Sequence, residues 1–267
     1  MSLLGVFTGS FQMLRKEPKL FLPRLITTAL YTGVMIYLST LAARVVSASN
    51  SPGPADPTIA FSLFSDMGVL AVFLVFLMAI DLLSYAMYPA LVRDHQAGGK
   101  IQLMSSIKEA LGAWKILLAL GFMIVLIAVA AGMIILPVEI FFPQLINEYG
   151  ITGLVVLAAI ASIIALVPMM LLFFVVPIGV LEKKGAIASF AGSVRLGMKH
   201  GKDLFTINLF LLLITVAVYA FMTYADVYAQ GAAAFYSMLV FVAVRLVQAV
   251  VYTYISVINP YVYMKIR

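Results

Sequence analysis

MGVLAVFLVFLMAIDLLSYAMYPALV, Met67 to Val92, is an apolar run interrupted by one charge, Asp81. A helix rises about 1.5 Å per residue, so about 20 such residues cross the roughly 30 Å of hydrocarbon in a bilayer. Lipid offers no water to backbone amides, and the helix bonds all of them internally, so a helix is the form this run takes there. Five further stretches read the same way: Leu20 to Leu41, Gly112 to Leu136, Ile151 to Leu181, Leu204 to Tyr224 and Ala234 to Tyr263. The stretches ending at Leu181 and Tyr263 exceed the minimum, which predicts tilt or a kink.

Composition agrees. Of 267 residues, 64% are hydrophobic and 10% charged, against about 45–50% and about 25% in soluble domains. The expectation is an all-α, polytopic membrane protein with six transmembrane helices, forming one domain over residues 1–267. The opening MSLLGVFTGSFQMLRKEP lacks a basic n-region and a small-residue cleavage site, so it reads as retained.

Orientation follows from the cations. With six spans, one side receives Arg15, Lys16, Lys19, Arg24, Arg93, Lys100, Lys108, Lys115, Lys183, Lys184, Arg195, Lys199, Lys202, Lys265 and Arg267, and the other only Arg44. Such a bias places both termini in the cytoplasm by the positive-inside rule and predicts a multi-pass protein of the cell membrane. The net charge of +6 then points to anionic lipid head groups at the cytoplasmic face and not to nucleic acid, because the basic residues flank apolar spans. Pairing with a second copy or with a membrane partner protein stays open.

The chain also repeats itself. FTGSFQMLRKEPKLF from Phe7, MSSIKEALGAWKIL from Met104 and FAGSVRLGMKHGKDLF from Phe190 each carry a Ser followed nine residues later by Lys: Ser10 and Lys19, Ser106 and Lys115, Ser193 and Lys202. The even-numbered spans each end in Pro, a short apolar stretch and a basic residue: Pro89 before Arg93, Pro177 before Lys183, Pro260 before Lys265. The predicted unit is an amphipathic cytoplasmic helix, an outward span and an inward span, repeated over about 1–95, 100–185 and 186–267. All three copies share one orientation, which suggests a rotation axis along the membrane normal. In the first helix Leu3, Leu4, Phe7, Phe11 and Leu14 recur at helical spacing, as in helices that lie flat at the interface.

Polar residues inside the spans are the candidate site. Asp81 and Arg245 would each cost about 2.5–3.5 kcal/mol at mid-bilayer on insertion scales, so neither should face lipid. Arg245, Gln248, Tyr252, Ser256 and Asn259 follow at intervals of three and four, which puts them on one helical face. The second span carries Asp81, Ser84, Tyr85 and Tyr88, and the fifth Asn208, Thr215, Tyr219 and Thr223. These faces predict either a polar cavity or passage between the second, fifth and sixth spans, or an interhelical ion pair and hydrogen bonds that fix packing. Counted from the repeat prolines, Asp81 and Arg245 are offset by seven residues.

Catalytic equipment is poor. There is no cysteine, and His95 and His200 lie in separate segments without a second ligand at metal-binding spacing. AGGK, Ala97 to Lys100, lacks the rest of a phosphate-cradling motif, and no G-x-S-x-G is present. The expectation is a protein that is not an enzyme, with no cofactor and no metal.

The stretch VPIGVLEKKGAIASFAGSVRLGMKHGKDLFTINLFLLL resembles the hallmark of six-helix membrane proteins related to the membrane domain of glycerophosphoryl diester phosphodiesterase. Pro177, Glu182, Gly185, Ser193 and Lys202 occupy the places of that pattern. FQMLRKEPKLFLP and LVRDHQAGGKIQLMSSIKEALGAWKILL fit it too, so the resemblance covers most of the chain. It implies the six-helix fold and supplies no catalytic residues. The chain has no phosphodiesterase domain, so that activity is not implied.

Overall fold

Long apolar runs with few helix breakers set the secondary structure, and their flanking turns set its limits. The computed structural model describes residues 2–49, 57–141, 166–229 and 234–267. Among them every regular element is helical. They are α1 (Leu3–Lys16), a 3-10 turn (Pro18–Phe21), α2 (Leu22–Ser49), α3 (Pro57–Gln96), α4 (Leu103–Gly112), α5 (Trp114–Phe141), a helical stretch 166–172 leading to α6 (Val175–Leu181), α7 (Ala186–Lys199), α8 (Gly201–Ala229) and α9 (Ala234–Ile266).

Four helical segments are long and apolar enough to cross a membrane: Pro18–Ser47, Phe61–Gln96, Gly201–Met222 and Tyr236–Ile266. A fifth is added if α4 and the start of α5 count as one span, although the chain bends by 71° between them. Of the expected fourth span, 151–165 lies outside the described residues, and the rest belongs to a shorter apolar helix, Leu166–Leu181. Phe173 and Phe174 break that helix into a turn, which answers to the kink expected there. The sixth stretch keeps Pro260 inside one unbroken helix.

The outer surface is apolar. Along α3, Phe61, Phe64, Val72 and Val75 are each more than 65% exposed. Such a face is costly against water and ordinary against lipid, so these helices are compatible with an integral membrane protein. The buried core instead gathers toward the basic end. Leu20, Tyr88, Leu91, Ala110, Ile116, Val175 and Val257 form one cluster, and Val6, Phe174, Ile178, Leu204, Ile258 and Tyr263 a second beside it.

The three short amphipathic helices close this end. α4 packs on α3, α7 on α6, and α1 on α9, so each sits on a proline-bearing segment and the first sits on the last. Ser10, Ser106 and Ser193 are all fully buried in these contacts. Close approach explains two small neighbours of the serines. A Cβ on Gly9 would lie 2.1 Å from the Tyr261 hydroxyl, and one on Gly192 would lie 3.1 Å from Ile178 Cδ1. Tyr261 and Ile178 directly follow Pro260 and Pro177.

Candidate functional site

A charge inside a helix bundle needs a partner, and Asp81 finds one that the sequence placed elsewhere. Arg24 stands in the first turn of α2, almost fully buried, and its Nη1 donates to Asp81 Oδ1 on α3. Arg24 Nε donates to Ser256 Oγ on α9 at 3.0 Å, and the Ser256 hydroxyl donates to the Tyr252 carbonyl at 2.8 Å. The guanidinium lies 5.8 Å from the Tyr85 ring centroid, close enough for a cation–π contact. Tyr31 stands within electrostatic reach of Asp81, Arg24 and Tyr252. Three helices, α2, α3 and α9, thus converge on one ion pair. The Asp81 side chain keeps 33% of its surface exposed, against 10% for Arg24.

Of the residues singled out from sequence, this seam unites Asp81, Tyr85, Tyr252 and Ser256. Tyr88 lies one turn nearer the basic end, fully buried, and donates to the Leu20 carbonyl at 3.0 Å. Ser84 is buried, lines a small apolar groove of about 210 Å³ with Ile26, Thr27 and Met87, and its hydroxyl has no hydrogen-bond partner among the described residues. Asn259 sits below the seam. Its Nδ2 donates to the Phe173 carbonyl at the break before α6.

Arg245 belongs elsewhere. It donates to Gln248 at 3.1 Å on its own helix and lies over the Phe241 ring, 5.0 Å from the centroid. It lies eleven residues before Ser256, the α9 residue that meets Arg24, which is about 16 Å along the helix axis. Nor does the fifth stretch reach the seam. α8 packs on α9 and α7, Asn208 donates to Leu204 O at 2.9 Å, Thr215 to Leu211 O at 2.8 Å, and Tyr219 is 69% exposed. Both hydrogen bonds are to carbonyls one turn back, the usual way a polar side chain satisfies itself in an apolar helix. The Thr223 side chain lies outside the described residues.

Arg24 is the member that sequence reasoning missed. Counting cations by side put it with the flanking lysines, although it lies inside the stretch Leu20 to Leu41. It stands five positions past Lys19, in the first turn of α2, from where its side chain reaches Asp81 inside the bundle.

At the basic end a second polar node ties α6 to α9. Glu182 accepts from the Tyr263 hydroxyl and from Lys184 at 2.5 Å, with Arg267 at 3.7 Å. The Lys184 ammonium, then the Tyr263 hydroxyl, hold the Glu182 carboxyl below the usual carboxylate range. A lowered folded-state value contributes stability above the unfolded value and loses it as pH falls through the folded one. The melting temperature of the purified protein is therefore expected to fall on acidification below about pH 4.3, and Glu182→Gln should flatten that limb of a thermal-shift pH series.

Among the described residues no three His, Asp or Glu side chains gather where they could hold a metal ion. The chain matches no family model, and no curated protein or solved structure matches it significantly.

Proposed function

We propose that this chain is a six-span membrane protein that binds or passes a small or amphiphilic, lipid-like substrate at the polar seam between α2, α3 and α9. One observation carries the reading: Asp81 is ionisable, lies about 18 Å along α3 from Arg93 by helix rise, and still leaves a third of its side chain uncovered. Full burial would strip the carboxylate of its hydration, so the uncovered third is where water or a polar substrate group can reach it. Arg24 offers a polar or anionic substrate group a counter-charge, and Tyr31, Tyr85 and Tyr252 offer ring faces and hydroxyls.

The same reading takes the six spans as three repeats with both termini on the cytoplasmic side. It is supported by the ring in which each amphipathic helix covers a proline-bearing segment and by the three buried serines. The likeness to the six-helix family above belongs to it and adds no reaction. A noncatalytic scaffold is the competing role, favoured by how Arg24 and Ser256 are engaged within the bundle.

A chain without cysteine allows a direct test. Tyr31→Cys and Tyr252→Cys are expected to react with a charged methanethiosulfonate reagent in sealed vesicles at rates comparable with Ser47→Cys. Protection of both in the folded protein, relieved only by denaturation, would leave the scaffold. Arg15→Cys and Lys184→Cys should be labelled from the same face, and labelling from opposite faces overturns the topology.

A further inference from the structure

The bend between α4 and α5 opens a groove at the basic end, away from the ion pair. On one side run α4 and the first turn of α5; on the other, α6 ends and the chain passes through Glu182 to Gly185 into α7. The groove has two adjoining parts of about 410 and 640 Å³ that share Gly112, Ala113, Ile116, Lys183 and Lys184. Its floor is tight, since a Cβ on Gly179 would come within 2.3 Å of Ile116 Cδ1.

Four lysines line it: Lys108 from α4, Lys115 from α5, and Lys183 and Lys184 from the loop. The one acid in the lining, Glu109, is held by both Arg93 Nη atoms at 3.0 and 2.8 Å, and Lys184 is held by Glu182. Among the described residues no carboxylate pairs with Lys108, Lys115 or Lys183.

Lys183 adds an independent sign. Its φ of 52° is left-handed, and among the described residues it is alone in this outside glycine; the loop after α3 uses Gly98 for the same purpose. Glycine is the usual residue just past a helix end because a Cβ is disfavoured there. A lysine held in that conformation presents its ammonium at the groove in spite of the backbone cost, the kind of outlier that marks a binding site. Beside the lysines the wall turns apolar, with Trp114 and Ile187 each more than half exposed. A Trp at this level is typical of membrane interfaces.

We infer that this groove binds the phosphate of an anionic lipid head group, with the acyl chains along the apolar wall. Exposed apolar surface continuous with the cations favours a lipid over a free phosphate, which has nothing to cover that wall.

Trp114 is the sole tryptophan in the chain and lines the groove, so it reports occupancy directly. The full chain, reconstituted with brominated phosphatidylglycerol or brominated phosphatidylcholine, is expected to show stronger quenching of Trp114 by the anionic lipid. Lys108→Gln and Lys183→Gly should each reduce that preference about fivefold, the effect of one cation near a lipid surface. Lys183→Gly should do so with an unchanged or raised melting temperature, since glycine relieves the φ, which separates lost binding from lost folding. Lys199→Gln, exposed on α7 outside the groove, should leave the preference intact. Equal quenching by the two lipids overturns the site, as does a preference that survives Lys108→Gln and Lys183→Gly combined or falls equally with Lys199→Gln. Loss of the preference in millimolar inorganic phosphate, at constant ionic strength, would reassign the groove to a soluble anion.

Discussion

Asp81→Asn is expected to lower the unfolding free energy by about 3 kcal/mol, because it leaves the nearly buried Arg24 guanidinium without its counter-charge. The lower end of the range for a broken buried pair applies, since a third of Asp81 remains exposed. Arg24→Met should cost a similar amount, and the two changes together should cost clearly less than their sum, as a double-mutant cycle reads for residues in contact. Pairing Asp81→Asn with Arg245→Gln gives the contrast: those two effects should add, because Arg245 engages Gln248 and Phe241. Chemical denaturation in mixed micelles measures both cycles. Strong coupling between 81 and 245 with none between 24 and 81 would remove the seam as described.

The second large effect is expected at Asn259, away from any charge. In a continuous helix the Phe173 carbonyl would accept from the amide of residue 177, but residue 177 is proline and has no N–H to give. Asn259 supplies the missing donor from α9, and the Ser193 hydroxyl mends the same break by accepting from Phe174 N at 3.0 Å and donating to Leu171 O at 2.7 Å. Asn259→Leu strands a buried carbonyl and is expected to cost about 2 kcal/mol, read as a drop in melting temperature. The loss should shrink in a Pro177→Ala background, where an amide returns to the carbonyl's own segment. An equal loss in both backgrounds would mean that Asn259 does not serve this break.

These two sites show how far residue patterns reach. Helix type was legible in runs such as Met67 to Val92 because hydrophobicity is a local property, but extent was not, since that helix runs over Pro57–Gln96. Ser10, Ser106 and Ser193 were legible as a set because each is followed nine residues later by Lys, and each is buried in the structure. Asp81 was marked by being a charge among apolar neighbours. Its partner was not, since Arg24 sits close to a basic flank and looks like one of its members. Depth along the two spans allowed Arg245 as that partner, and the structure gives the place to Arg24. Asn208 and Thr215 looked like members of a shared polar face, yet each turns back on its own helix. Periodicity places a residue on a face and leaves its hydrogen bond undetermined.

The chain by itself determined that it forms long apolar helices with cations gathered at their flanks and deep polar groups spaced by turns of a helix. All of these are consequences of composition and periodicity within single segments. Tertiary structure alone decided which helices meet, and so which charge answers Asp81, which amide covers the carbonyl that Pro177 leaves open, and which lysines face one another across a groove. Those outcomes depend on distances between segments far apart in sequence, where a shift of one helix turn exchanges one partner for another.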